Sequence, residues 1–295
     1  MASRIMTGCI MKAQAPKPGR EKPEGAAGGP PVLLTIAGSD SGGGAGIEAD
    51  LKTFAALGAY GTAAVTADTA QNPAGISAIQ GVEPALVAEQ IRQVARAFPI
   101  AGAKTGMLLS AAIVNAVADA LAEMPRRPPL VVDPVMLATS GAQLLQEDAV
   151  AALCGRILPL ASLVTPNLDE AARLLGRPLR GRGDMEPAAR TLHARLGTAV
   201  LVKGGHLEGG EAADCLCSGQ AVHWYVHPFV RGVNTHGTGC TLSAAIAVGL
   251  GQGWPLAEAV GRARTYLQAA LVGAVRAGPD RVLNHAHAPV AVPRS

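Results

Sequence analysis

The chain has few aromatic residues, little charge, and no organised pattern of cysteine or histidine. Aromatics make up 3% of its 295 residues, too few to build the stacking platforms that hold single-stranded nucleic acid. A core must therefore be assembled from Ala, Val, Leu and Ile. Charged residues are 16% and hydrophobic residues 49%, which excludes a chain too polar to collapse. The net charge of +3 is local in origin: Arg4, Lys12, Lys17, Arg20 and Lys22 outweigh Glu21 and Glu24 within residues 1–30. The remainder is formally neutral, so no basic face and no nucleic-acid partner is expected.

The five cysteines, Cys9, Cys154, Cys215, Cys217 and Cys240, are odd in number and include no C-x-x-C spacing. No histidine pair completes a zinc pattern, so reduced thiols in a cytoplasmic protein are the expectation. His206, His236, His285 and His287 have no metal-ligand spacing and read as solvated or hydrogen-bonded side chains. No stretch reaches the ~20 apolar residues of a membrane span, and the N-terminus has no continuous apolar signal core. Residues 1–31 hold five prolines and five glycines and read as a disordered extension. Met6 and Met11 offer other starts within it.

From residue 32 onward, apolar runs alternate in type. Strand-like runs are expected at 32–38, 60–67, 76–82, 101–108, 129–133, 162–166, 198–203, 213–218 and 221–230. Helical spacing begins at IEADLKTFAALG and recurs at 84–98, 110–124, 147–158, 168–176, 185–196, 240–251 and 256–276. Continuous apolar strands between helices predict an α/β domain over 32–280, with a central, mostly parallel sheet covered on both faces. The pairs 60–82 and 213–230 lack intervening helices and read as hairpins or an antiparallel edge. Residues 281–295 read as a C-terminal tail.

In such sheets ligands bind beyond the C-terminal strand ends, and the polar clusters fall there: Asp40 and Ser41, Gln71 and Asn72, Asp133, Asn167, and Lys203. Two glycine-rich turns follow strands. GGGAG at 42–46 is not a Walker A loop, since no G-K-[ST] follows. Gly44, Gly46 and Ala49 do fit G-x-G-x-x-A, and Asp68 could then serve as the ribose acid of a dinucleotide site. NTHGTGC at 234–240 runs into a helix, so the amides of Gly237, Thr238, Gly239 and Cys240 can converge on one anion. Bland readings stand beside the functional ones. Asn167 and Glu170 fit a capping box, Asp133 a turn before Pro134, Lys203 a snorkelling lysine, and Cys240 and Met107 buried apolar groups.

Taken together, SDSGGGAGIEADLKTFAALGAYG, TAQN, DPVM, TPNLDE, VKGGH and NTHGTGCTLSAAIA resemble the hydroxymethylpyrimidine/phosphomethylpyrimidine kinases of thiamine biosynthesis over about residues 32–272. The resemblance implies a ribokinase-like fold with little or no lid, usually a homodimer, and two ATP- and Mg2+-dependent phosphorylations of a hydroxymethylpyrimidine. It also implies site roles. Asp50 and Gln71 would hydrogen-bond the aminopyrimidine, with Ala45 and Met107 as walls. Cys240 would sit beside the hydroxymethyl group, and the Gly237–Cys240 backbone would form an anion hole. Asp133 and Glu170 would organise magnesium, and Asn167, Lys203 and Thr235 would lie on the ATP side.

Cys240, at a helix N-terminus, is expected to have a lowered pKa, which suits it to act as a thiolate base in the first step, although it would compete with the phosphate for the anion hole; a base and a positional role both stay open. The chain departs from the family at Asp68 and Thr105, where apolar residues are usual, and at Thr139, where lysine is common. The rival readings are a pyridoxine-type kinase of the same superfamily, a non-catalytic pyrimidine-binding protein, and the dinucleotide enzyme.

Overall fold

The computed structural model describes residues 29–137, 141, 143–205 and 210–291. The expected extension lies mostly outside them, as do Thr139 and His206.

The first strand, β1 (Val32–Asp40), is the central strand of one end of the sheet. Its residues are buried on both faces from Leu33 to Gly38 apart from a partly open C-terminal end. It pairs in parallel with β2 (Tyr60–Asn72) on one side and β4 (Ile100–Thr105) on the other. β3 (Gly75–Gly81) returns antiparallel to β2 and forms one edge. Beyond β4 come β5 (Leu130–Val132), β6 (Leu163–Val164) and β7 (Ala199–Gly204), all parallel. The other edge is the antiparallel pair β8 (Glu211–Ser218) and β9 (Ala221–Pro228). The nine-stranded order is β3-β2-β1-β4-β5-β6-β7-β8-β9. The chain reverses its direction of travel across the sheet between β1 and β4, and such a switch point opens a crevice at the strand C-termini.

Eight α-helices cover the sheet among the described residues: α1 (Gly46–Ala56), α2 (Pro84–Ala97), α3 (Ala111–Ala122), α4 (Glu147–Ala152), α5 (Leu168–Leu175), α6 (Arg182–Leu196), α7 (Thr238–Gly251) and α8 (Leu256–Val272). One apolar layer joins Ile36, Val87, Val114, Val117 and Val132 under α2 and α3. The opposite layer joins Leu33, Phe54, Val131, Leu242, Ile246 and Val260 under α1, α7 and α8. A third, under α5 and α6, holds Met185, Leu192 and Val202. The aliphatic composition thus supplies cores on both faces, as a mostly parallel sheet requires. None of these helices is long and apolar enough to cross a membrane.

Three expectations need correction. The helix expected over 147–158 is α only to Ala152. It continues as a π turn (Leu153–Ile157) and a 3-10 turn (Leu158–Leu160), where Pro159 cannot supply an N–H to the ladder. The last helix stops at Val272, and Val275–Ala277 pairs with Asp280–Val282 as the hairpin β10–β11. The boundary drawn at 281 therefore cuts a hairpin. Beyond it, residues 283–290 dock on the body: Asn284 N–H donates to Ala270 O, Tyr266 Oη to His285 O, and Val290 N–H to Ala56 O.

Candidate active site

One cleft runs across the C-terminal strand ends, and its walls come from β1, β2, β4 and β7, the turns after β5 and β6, the start of α7 and, at the far end, α8. The sequence made this edge irregular. β1, β2 and β4 end in the polar residues Asp40, Asn72 and Thr105, β7 ends in Gly204, and Asp133 follows β5 directly, so the ladder stops while side chains and free amides remain.

At one end, Asp40 organises the first glycine loop. Its Oδ1 accepts from Gly42 N–H at 2.8 Å, and its Oδ2 from Gly44 and Ala45 N–H at 3.1 and 2.8 Å. Burial works against the Asp40 charge, but His236 and these amides outweigh it and lower its pKa to about 2. His236 Nε2 lies 2.8 Å from Asp40 Oδ2 and 3.0 Å from Gln71 Nε2. The second glycine loop packs directly on the first. Gly237 has φ +82°, and a Cβ there would lie 1.8 Å from Gly44 O, so only glycine fits. Ala45, Gln71 and Met107 line this end.

In the middle, α7 presents its N-terminus. Thr238 N–H bonds Thr235 O and Thr241 N–H bonds Gly237 O. The N–H groups of Gly239 and Cys240 have no partner among the described residues. First-turn amides without acceptors form an anion cradle, reinforced by the helix dipole. A Cβ on Gly239 would come within 3.3 Å of Lys203 Nζ and 3.4 Å of Asp133 Oδ2, so the cradle opens directly beside that pair. Lys203 Nζ donates to Asp133 Oδ1 at 2.7 Å.

Glu170 stands behind Asp133. The capping box holds in full: Glu170 N–H donates to Asn167 Oδ1 and Asn167 N–H to Glu170 Oε2, both at 2.8 Å. Capping and site-building are thus the same geometry. Burial raises the Glu170 pKa to about 7; Lys203 lowers it and the Asp133 charge raises it further. Beyond them, Phe229, Val230, Leu267 and Leu271 give the far end an apolar wall, and Thr235 and Asn167 line the passage.

Of the residues to which the resemblance assigns a role in the site, all but one line this cleft. The exception is Asp50. It is fully buried on α1, with Lys104 Nζ at 2.9 and 2.8 Å from its two oxygens and Thr35 Oγ1 donating at 2.6 Å. It cannot meet a ligand in the cleft; it holds Lys104, which forms part of the floor. Cys240 also departs from expectation. Burial pushes its thiol up to about 11, with Lys104 opposing and Asp50 and Asp133 adding to the rise. Desolvation outweighs the Lys104 charge, so the thiol keeps its proton near neutral pH. Asp68 is exposed on β2 and does not line the cleft, which removes the ribose acid of the dinucleotide reading.

Sequence reasoning missed Lys104 and His236. A lysine inside the apolar run AGAKTGML was a signal, because a buried ammonium demands a partner. His236, inside NTHGTGC, gave none by spacing.

A mostly parallel sheet covered on both faces, with an amide cradle between a lysine–carboxylate cluster and the end of the cleft lined by Ala45, Gln71 and Met107, defines a ribokinase-like phosphotransferase. The chain belongs to the phosphomethylpyrimidine kinase family, whose model matches residues 40–288. It is 53% identical over 240 residues to the thiamine biosynthesis bifunctional protein ThiED of Geobacter sulfurreducens, matching 81% of this chain and 49% of that one, so it spans about half of that relative. It is 50% identical over 248 residues to the hydroxymethylpyrimidine/phosphomethylpyrimidine kinase of Rhizobium meliloti, matching 83% of this chain and 92% of that one. An ADP complex of Bacillus subtilis pyridoxal kinase superposes with a TM-score of 0.80 at 32% identity, covering 87% of this chain and 98% of that one.

Proposed function

We propose that this kinase transfers the γ-phosphoryl group of ATP to the CH2OH of 4-amino-5-hydroxymethyl-2-methylpyrimidine, and then to the resulting monophosphate. The observation that carries this reading is the pair of unpartnered amides at Gly239 and Cys240, placed between the Lys203–Asp133 pair and the Gln71 pocket. Such a cradle stabilises charge on a phosphoryl group in transit.

The triphosphate lies toward Lys203, Asn167 and Thr235, with its base along the apolar wall. The flat acceptor lies between Ala45, Met107 and Gln71. Its hydroxyl oxygen attacks the γ-phosphorus, the bond to the bridging oxygen breaks, ADP leaves, and the hydroxyl proton is released. In the second round a phosphate oxygen of the monophosphate is the nucleophile and brings no proton that must be removed. Cys240, protonated, faces the acceptor as a neutral donor. Phosphoryl transfer of this kind rests on positioning and charge stabilisation, so a weak base suffices.

The carboxylates fit a magnesium ion. Asp133 and Glu170 are two acidic groups on one wall, and the Asp133 charge raises the cost of ionising Glu170; magnesium is commonly held by one or two carboxylates plus substrate phosphates. Held by Asp133 and Glu170, it would supply positive charge to offset that of the phosphates. A homodimer and a cytoplasmic location complete the proposal, the latter supported by free thiols at Cys154, Cys215, Cys217 and Cys240.

An assay with ATP, Mg2+ and the pyrimidine alcohol, following both products by mass, tests the reading. Successive mono- and pyrophosphate are expected; absence of both overturns it. Pyridoxal is the second acceptor to run, because the superposition on a pyridoxal kinase is close. Preferential turnover of pyridoxal would assign that activity instead. Pyrimidine-dependent ADP release excludes a non-catalytic binder.

A further inference from the structure

With its amide nitrogen toward His236 and its oxygen toward Thr69, Gln71 cannot satisfy the hydrogen bonds around it. The amide nitrogen faces His236 Nε2 at 3.0 Å, and the amide oxygen faces Thr69 Oγ1 at 3.2 Å. The oxygen and nitrogen of an amide are nearly alike in outline, and the network around them decides which is which.

Two independent counts decide it here. Asp40 accepts three backbone N–H groups, from Gly42, Gly44 and Ala45, so it is an ionised acceptor with no proton to give. At 2.8 Å from its Oδ2, His236 Nε2 must therefore carry the proton; a bare ring nitrogen would set two lone pairs against each other. A protonated Nε2 has nothing to offer the nitrogen of Gln71, but it can share its hydrogen with a carbonyl. On the other side, Thr69 Oγ1 has a single hydrogen and donates it to Ser39 O at 2.8 Å. Toward Gln71 it can only accept, so it needs the amide nitrogen.

We infer that His236 is a positioning residue: its Nε2–H, fixed by Asp40, turns the Gln71 amide so that its carbonyl faces His236 and its NH2 faces Thr69. An amide offers two N–H donors and two acceptor lone pairs. Thr69 and His236 take one of each. One donor and one acceptor remain, in a direction set by the ring.

That remaining pair is the complement of a ring nitrogen beside an exocyclic amine, the same pairing by which Gln reads adenine. Reversing the amide reverses the pair. A flat acceptor gripped by it would then turn over, and its CH2OH would leave the Cys240 side of the pocket. The step from amide to alcohol rests on the acceptor proposed above; the step from Asp40 to amide does not. His236 immediately precedes Gly237, so the residue that orients the acceptor and the loop that receives the phosphoryl group move together.

The test has two arms. In the first, the whole protein is labelled with 15N-histidine, and His236 is assigned by comparison with His236→Gln. Two-bond 1H–15N spectra of the substrate-free protein are expected to show a proton-bearing Nε2 in the neutral ring. A bare Nε2 with the proton on Nδ1 overturns the inference, whatever the substrate proves to be. In the second, steady-state kinetics compare His236→Ala with His236→Gln. Alanine is expected to raise the acceptor KM about tenfold or more and leave the ATP KM in place, while glutamine, which restores an N–H donor, recovers most of the loss. Equal rises in both KM values, or a glutamine variant no better than alanine, overturn it. A protein inactive on the pyrimidine alcohol sinks the function proposed above, and the spectra still decide the tautomer.

Discussion

Lys104 Nζ lies 2.8 Å from Asp50 Oδ2 and 2.9 Å from Oδ1, and neither side chain reaches solvent. Burial works against the lysine's charge, and the Asp50 carboxylate more than offsets it, holding the ammonium protonated. The pair sits under Cys240, and a Cβ on Gly106 would come within 2.9 Å of the ammonium. Removing one partner strands the other charge in the core. Lys104→Met is therefore expected to cost about 3–5 kcal/mol of stability, read by urea denaturation. The double variant Lys104→Met/Asp50→Leu should recover most of that loss while remaining impaired in turnover. A single variant as stable as the parent would refute the pair's structural role.

Glu170 gives stability a pH dependence with a definite sign. Its pKa rises from an ordinary 4.5 to about 7 in the folded state, so the native protein binds this proton more tightly than the unfolded chain does. Stability from Glu170 is then fully present below about 4.5 and is lost as pH rises through 7. A shift of that size corresponds to about 3 kcal/mol as an upper figure. Melting curves without nucleotide should fall across this window, and Glu170→Gln, which keeps the cap, should flatten the fall. Mg2+ with ATP should also flatten it, since a cation favours the ionised form. A wild-type slope unchanged by Glu170→Gln would count against the assignment.

Thr105 is buried, and its Oγ1 finds no partner among the described residues. An unsatisfied buried hydroxyl costs about 1–3 kcal/mol. Thr105→Val removes the hydroxyl in nearly the same shape and should stabilise the fold by about 1 kcal/mol, with kcat unaltered. Calorimetric unfolding checks it; a destabilised valine variant would mean that the hydroxyl has a partner in solution.

Much of this was legible in the sequence because the signals were local. Alternating apolar runs placed β1 to β9 within a few residues, and the polar strand ends Gln71, Asp133, Asn167 and Lys203 marked the cleft before any contact was known. What was not legible depends on direction and burial. Asp50 sits among the motif residues, but only the fold shows its carboxylate turned inward to Lys104. The Asp40–His236 contact spans 196 positions, which no local spacing reports. The hairpin after α8 was missed because Val275 to Ala277 continue an apolar pattern past Gly273, while all three are exposed. The pKa of Cys240 was expected on the wrong side of its ordinary value because helix position is visible in sequence and desolvation is not.

That last point separates two roles for Cys240. A ready thiolate would remove the alcohol proton, and its loss would cost the first phosphorylation ~10²–10⁴-fold. A thiol raised to about 11 is protonated at neutral pH and can only donate a hydrogen bond and fill space. Cys240→Ala should then lower the first step by about tenfold, the second by less, and Cys240→Ser should restore most of the first. The pH dependence tells the roles apart. If the thiolate were the base, the first-step rate would climb tenfold per pH unit toward 11 in the wild type, and the climb would vanish in the alanine variant. The structure calls for parallel profiles in the two proteins. Quench-flow measurements of each step separately, from pH 6 upward, would decide it, because the second step carries no alcohol proton and serves as the internal control.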